Sequence, residues 1–537
     1  MRNLLFLLIL LSLSGCLMSN QNVINNLPYD ESGGVSYSDQ YRPQFHFTPK
    51  ENWMNDPNGM VYYQGEYHLF YQYHPESTVW GPMHWGHAIS KDLVHWEQFP
   101  IALYPDELGT IFSGSAVVDW NNTSGLGTTE NPPLIAIYTY HSHELENIGR
   151  NDFQTQAIAY SLDKGRTWEK YSQNPVLPNP GIRDFRDPKV SWHEESQKWI
   201  MVLAQADHIG FYSSTNLIDW KLESTFGKEW GVHAGVWECP DLIKMPIEGT
   251  SEFKYALIVS INPGGPNGGS ATQYFVGDFD GKTFTLTDDF KEDVKQVIGK
   301  DGIVESGVWL DYGTDNYAGV TFSDVPKNDG RVLFMAWMSN WQYANQVPTE
   351  AWRSAMTIPR SLKLDNSLSG LRITSQPVEE LNKLVKNKQH HGNLTSEKKY
   401  ELITASDSSK LYRLELDVVP LDANLIDLVF ANQLGEKSIL TIKVNEGVIN
   451  FDRTHSGKVD FEQGFPSIQK ALTTKNLLKY TLDIYVDHSS FEIFINNGKT
   501  VITSIVFPSI PYSNVSIEGN TIFNIDNLTI SELKSIW

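Results

Sequence analysis

The sequence predicts an all-β protein: a five-bladed β-propeller over residues 41–364, a linker over 365–393 and an antiparallel β-sandwich over 394–537. Three observations predict it. Short β-like runs separated by Gly, Pro, Asn and Asp fill 41–364, one phrase recurs along that stretch, and strict period-two alternation appears beyond it.

Residues 61–73 read as strand, tight turn, strand, and 134–140, 199–204, 255–261 and 332–337 as buried strands. The recurring phrase is Ser90-Lys91-Asp92-Leu93-Val94-His95-Trp96. It is echoed by Ser161 to Trp168, by Ser214 to Trp220 and loosely by Asp278 to Phe284. Each echo is a strand end, an Asp/Asn/Gly turn and a large ring opening the next strand. A unit of this kind cannot bury both faces alone and stacks on its neighbours. Four echoes and a final segment at 303–360 give five blades; an array of sandwiches is the structural alternative.

Past Gly370 the texture changes. Pro377, Leu381 and Leu384 suggest a short helix within the linker. Leu414, Leu416 and Val418 then alternate with Arg413, Glu415 and Asp417, as Leu482, Ile484 and Val486 do with Thr481, Asp483 and Asp487. Such strands fit a sandwich with one wet face. Asn496-Asn497-Gly498 predicts a two-residue hairpin turn.

Composition excludes several classes. With 42 basic and 64 acidic residues the net charge is −22, a balance that repels phosphate backbones and argues against nucleic-acid binding. Apolar residues make up 40%, which excludes wholesale disorder, and two cysteines cannot build a disulfide framework. The excess is aromatic: 16 Trp, 24 Tyr and 25 Phe, rings that fill cores and grip flat, partly apolar ligands. At the N-terminus, Arg2 precedes the apolar run 4–11 and Leu13-Ser14-Gly15-Cys16. This reads as an export signal over 1–15, too short to span a bilayer. The four residues ending at Cys16 resemble the lipobox of bacterial lipoproteins. The expectation is a lipidated Cys16, a flexible tether over 16–40 and a cell-envelope location held by that anchor alone; plain secretion is the alternative.

Three carboxylates stand in unusual company: Asp56 in Trp53-Met54-Asn55-Asp56-Pro57-Asn58-Gly59, Asp187 in Phe185-Arg186-Asp187-Pro188, and Glu238 in Val236-Trp237-Glu238-Cys239-Pro240. Two precede proline, which biases the backbone before it to be extended. Each alone reads as a turn, an ion pair or a strand edge. Together they fall on three different repeats, and the inner strands of a propeller converge on one axis, so the three can meet in one funnel.

These segments resemble the motifs of glycoside hydrolase family 32, the invertases, inulinases and levanases. His46-Phe47-Thr48-Pro49 with the Asp56 segment, Phe112-Ser113-Gly114-Ser115, Arg186-Asp187-Pro188 and Glu238-Cys239-Pro240 carry the resemblance. Trp309 to Gly313, Trp352 to Met356 and Asp487 to Phe494 extend it over about 41–537. It implies cleavage of β-fructofuranosidic bonds with retention, releasing terminal fructose from levan or inulin and from sucrose. Asp56 would be the nucleophile, Glu238 the acid/base, and Asp187 the residue that holds ring hydroxyls. Retention calls for nucleophile and acid/base about 5–5.5 Å apart. The resemblance also implies a fructose pocket of Trp53, Asn55, Gln72, Trp80, Phe112, Ser113, Arg186 and Trp337, with Trp85 and Trp341 at the rim. No cofactor is required. His84 with His87, and His141 with His143 and Glu144, are spaced for a metal, but no full ligand set is evident and none is expected. Open alternatives are fructosyl transfer, endo-acting cleavage, an arabinan or xylan hydrolase on a similar propeller, and a glycan-binding lipoprotein without catalysis.

Overall fold

The computed structural model describes residues 37–299, 302–366, 370–396, 398–404 and 410–537. The signal segment, Cys16 and most of the tether lie outside them. The last tether residues are ordered: Tyr37 stacks on Trp537 with ring centroids 3.9 Å apart.

Five antiparallel blades follow one another. Blade 1 holds Asn52–Tyr63, Glu66–His74, His84–Ser90 and Trp96–Leu103; blade 2 holds Thr110–Val118, Leu134–His141, Gln154–Ser161 and Glu169–Lys170. Blade 3 runs from Phe185–His193 through Lys198–Gln205 and His208–Ser214 to Lys221–Phe226. Blade 4 runs from Val236–Pro246 through Phe253–Asn262 and Ala271–Phe279 to Phe284–Leu286. Blade 5 combines Tyr317–Thr321, Val332–Met338, Arg360–Asp365 and Arg372–Pro377. The first strand of each blade is innermost, and each neighbours the next around a closed ring. The ring is latched by Trp352–Arg353, a late segment that pairs parallel with Asn52 and Trp53 on blade 1.

The recurring phrase is the outer hairpin of blades 1 to 4. In three of them the same bonds recur: the serine hydroxyl meets the Asp or Asn two residues on. The closing indole donates to the carbonyl three residues back, Trp96 to Leu93, Trp168 to Gly165 and Trp220 to Leu217. Each turn enters the left-handed region, at Leu93, at Lys164 with Gly165, and at Leu217 respectively, which lets the chain reverse beneath the ring.

Two six-stranded sheets form the sandwich, and Leu414, Leu416 and Val418 point into its core as their alternation predicts. Three details differ from expectation. The stretch read as a linker is built into both domains: Arg372–Pro377 completes blade 5, Glu379–Leu384 is a single 3₁₀ helix, and Val385–Ser396 is a sandwich strand. The outward face of one sheet is dry, because Tyr485, Phe494 and Val501 pack into the propeller cluster. The Asn-Asn-Gly turn is a longer loop, since Ile495 pairs with Thr500. Its Gly498 presses on blade 5, where Ser375 donates to its carbonyl at 3.0 Å and a Cβ would meet the Ser375 oxygen at 1.9 Å.

A buried ionic network joins the domains. His46 lies between Asp487 (2.7 Å) and Glu492 (3.0 Å), Glu492 also takes Arg360, and Arg360 reaches Asp311 at 3.0 Å. Arg453 of the sandwich binds Asp315 of the propeller at 2.8 Å.

Candidate active site

One device builds the site, repeated five times. Near the start of every inner strand, two residues oppose one residue of the next strand. Asn55-Asp56 face Gln72, Phe112-Ser113 face Thr139, and Asp187-Pro188 face Leu203. Cys239-Pro240 face Val259, and Ala318-Gly319 face Ala336. A bulge bends its strand and re-aims side chains. Asp56, Ser113 and Asp187 lie within their bulges, and Glu238 and Tyr317 immediately precede theirs. Asp56, Ser113, Asp187, Glu238 and Tyr317 come from blades 1 to 5 in order.

The bulge overrides the proline rule at Asp187. An extended backbone is expected before Pro188, yet Asp187 has φ +66°, and Cys239 has φ +45°. The two are tied together: the Asp187 N–H donates to Thr139 Oγ1 and the Cys239 N–H to Asp187 Oδ2, each at 3.0 Å. Strain of this kind persists where surrounding bonds over-determine it.

Asp56, Asp187 and Glu238 line one cavity of about 390 Å³, together with Asn55, Gln72, Trp80, Phe112, Ser113, Arg186 and Trp341. Asp56 Oδ2 accepts from the Ser113 hydroxyl at 2.6 Å, and Oδ1 accepts from Asn55 at 3.0 Å. Burial pushes the Asp56 carboxyl up from its usual range, while these donors pull it back. Burial also raises Asp187 to about 7, against the opposing charge of Arg186. Arg186 favours other partners: Asp184 at 2.6 Å and Glu238 Oε1 at 2.9 Å, with Asp187 at 4.0 Å. The second Glu238 oxygen accepts the Tyr317 hydroxyl. Cys239 Sγ stands 3.6 Å from both Asp56 and Asp187.

Three predicted pocket residues sit behind the wall. Trp53 and Trp337 are fully buried and back Trp341 of the cavity wall, with Trp53–Trp341 centroids at 5.9 Å and Trp337–Trp341 at 4.9 Å. Trp53 acts through Asn55, donating to its Oδ1 at 2.7 Å. Trp85 is likewise buried and donates to the Phe112 carbonyl at 3.0 Å.

Sequence reasoning missed Tyr317, Gln154, Phe153, Glu146 and Asp184, and set aside His141 and His143. Tyr317 opens blade 5, which has no echo of the recurring phrase. His141, stacked on Phe112 at 4.3 Å, forms one wall with His143 and Glu146. Their ligand atoms lie within 4.8 Å of one another, as a metal would require. The protons argue otherwise. The Phe185 N–H fixes Gln154 Oε1 at 2.8 Å, so the Gln154 amide donates to His141 Nδ1 at 3.2 Å. The His141 proton is thereby held on Nε2, facing Glu146 at 3.0 Å, where a metal would need a lone pair. Burial keeps this ring neutral, its pKa lowered to about 3.

Residues 46–377 match the glycosyl hydrolases family 32 N-terminal domain, and 380–533 match the family's C-terminal domain. The chain belongs to glycosyl hydrolase family 32. This family 32 glycoside hydrolase is 46% identical over 513 residues to a levanase of Bacillus subtilis (strain 168), covering 95% of this chain and 72% of that protein. It is 38% identical to an extracellular exo-inulinase of Aspergillus awamori, covering 94% and 96%. A crystal structure of exo-inulinase from that organism superimposes with TM-score 0.83 at 37% identity, over 94% of this chain and all of the other. A β-fructofuranosidase of Schwanniomyces occidentalis, solved with fructosyl-erythritol, gives 0.79 at 33% identity, over 94% and 100%.

Proposed function

We propose that this family 32 hydrolase is an exo-acting β-fructofuranosidase that removes terminal fructose from levan or inulin, and fructose from sucrose, with retention. The observation that carries the reading is the meeting of Asp56, Asp187 and Glu238, from three different blades, in one cavity of about 390 Å³. Relatives named levanase, exo-inulinase and invertase support the substrate class.

Asp56 is the nucleophile. Its donors, Ser113 and Asn55, favour the ionised form and aim it, and neither is a base that competes for the sugar. A carboxylate oxygen bonds to the anomeric carbon as the bond to the leaving oxygen breaks and Glu238 gives that oxygen its proton. Water then attacks the same carbon and loses its proton to Glu238, and Asp56 leaves as carboxylate. Asp187 accepts hydroxyls of the fructose ring, and Arg186 orients Glu238. Phe112 and Trp80, packed edge to face at 6.1 Å, line the same cavity and bound the sugar pocket.

The decisive experiment incubates purified protein with levan, inulin and sucrose separately and resolves the products over time. Fructose alone from the first minutes is expected; a ladder of oligosaccharides from either polymer overturns exo action. Transfer products at high sucrose would assign the second half-reaction to a sugar acceptor. The N-terminal pattern supports an exported protein carrying lipid on Cys16. Partition into detergent that is lost in Cys16→Ser tests the anchor.

A further inference from the structure

A second, larger cavity of about 600 Å³ opens at the opposite mouth of the propeller, at the C-terminal ends of the inner strands of blades 2 to 5. No residue lines both cavities. Between them the axis is packed: buried Lys189 donates to the Thr321 carbonyl and lies 3.5 Å from Asp241, which itself accepts the Thr321 N–H at 2.7 Å. The rear cavity is therefore neither a product exit nor an extension of the catalytic pocket.

Its lining is aromatic and polar together. Trp120 is 51% exposed. Its ring rests on Tyr63, and its N–H is fixed to Asp324 Oδ1 at 2.8 Å, so the indole is held rigidly with a face uncovered. Trp192 is half-buried, set edge-on against Trp199 at 5.1 Å, with its N–H on Glu194 at 3.1 Å. Both indole N–H groups are satisfied within the protein, which leaves the ring faces as the binding elements. Asn121 and Gln197 add neutral hydrogen-bonding groups, and the charged members of the lining pair with one another, Lys189 with Asp241, Lys244 with Glu195 and Lys327 with Glu194. Pre-positioned rings in a lining whose charges are internally paired suit a neutral polyol, whose C–H faces stack while its hydroxyls bond in the plane. The net charge of −22 disfavours a polyanion, and the polar lining disfavours an apolar peptide.

We propose that this rear mouth is a non-catalytic binding site for the fructan polymer, resting on the function proposed above. An enzyme that shortens a polymer from its end gains effective concentration by holding another stretch of the same polymer. Trp120 and Trp192 are the platforms.

Native gels containing levan or inulin, run with Glu238→Gln protein and with the same protein carrying Trp120→Ala, Trp192→Ala or both, test the site. Each single change is expected to weaken retardation roughly threefold to tenfold. In the active background, Trp120→Ala is expected to lower polymer turnover per unit substrate by a similar factor while sucrose hydrolysis stays unchanged. Trp120 is surface-exposed, so its loss does not threaten folding. Unchanged retardation and an unchanged polymer-to-sucrose ratio in the double variant overturn the site, as does equal retardation by dextran. Parent protein that hydrolyses neither polymer nor sucrose overturns the proposed function instead, whatever the gels show.

Discussion

Tyr317 of blade 5 donates its phenolic hydrogen to Glu238 of blade 4, across the seam between two inner strands. Burial together with the Glu238 charge holds the Tyr317 hydroxyl well above its usual range, so it remains a donor at every working pH. With Arg186 on the other oxygen, Glu238 is gripped from two sides. Tyr317→Phe removes a donor without changing ring volume. Turnover is expected to fall about tenfold, the worth of one hydrogen bond to a charged group, with KM nearly constant. A KM rise with unchanged kcat would place Tyr317 in ground-state binding instead.

Asp56→Asn and Glu238→Gln separate the two roles. Each is expected to lower kcat roughly 10,000-fold or more with the circular dichroism spectrum unchanged. Azide, used with an activated fructoside whose leaving group departs without an acid, then distinguishes them, because the anion attacks the fructosyl intermediate directly and needs no base. It should rescue Glu238→Gln and leave Asp56→Asn inactive. Rescue of the Asp56 variant alone would exchange the assignments.

Asp187 couples stability to pH. Its carboxyl titrates at about 7 in the folded chain, against about 3.9 unfolded. Between those values the folded state holds a proton that the unfolded chain has released, so this group lowers stability as pH rises through the window. Asp187→Asn is neutral throughout. Its Tm at pH 8 is expected to exceed the parent's by a few degrees, while activity falls roughly 100- to 1000-fold. A lower Tm at pH 8 would show that the carboxylate is fully compensated.

His46 acts in the opposite sense at the domain interface. Burial lowers its pKa, but bonds to Asp487 and Glu492 outweigh burial and raise it to about 9. A histidine raised in this way contributes stability that is complete below about 6.5 and is lost as pH climbs through about 9. Thermal melts from pH 6 to 10 should show the parent weakening across that interval. His46→Gln, which removes the positive charge held between two buried carboxylates, should be less stable at pH 6 by about 3–5 kcal/mol and lack that alkaline slope. A parallel slope in the variant would locate the titration elsewhere.

The three clustered carboxylates were legible because each sits in a short segment whose neighbours are unusual, and the outer hairpins because their turn chemistry recurs with its indole. Tyr317 was not legible, since a tyrosine opening a strand looks like any core residue. Nor was the His141 wall, whose meaning depends on Gln154, held in turn by the Phe185 backbone on the next blade. Trp53 and Trp337 were read as sugar contacts from their motifs, yet they stand one layer back.

By itself the chain's order of residues determined the all-β class, the blade and sandwich periodicities and the acidic trio, since patterning and turn chemistry act over a few residues at a time. Only the tertiary structure decided which side chains face the axis. A two-against-one bulge near the start of the inner strand recurs in all five blades, and that register arises from strand pairing and ring closure, which no local stretch of sequence contains.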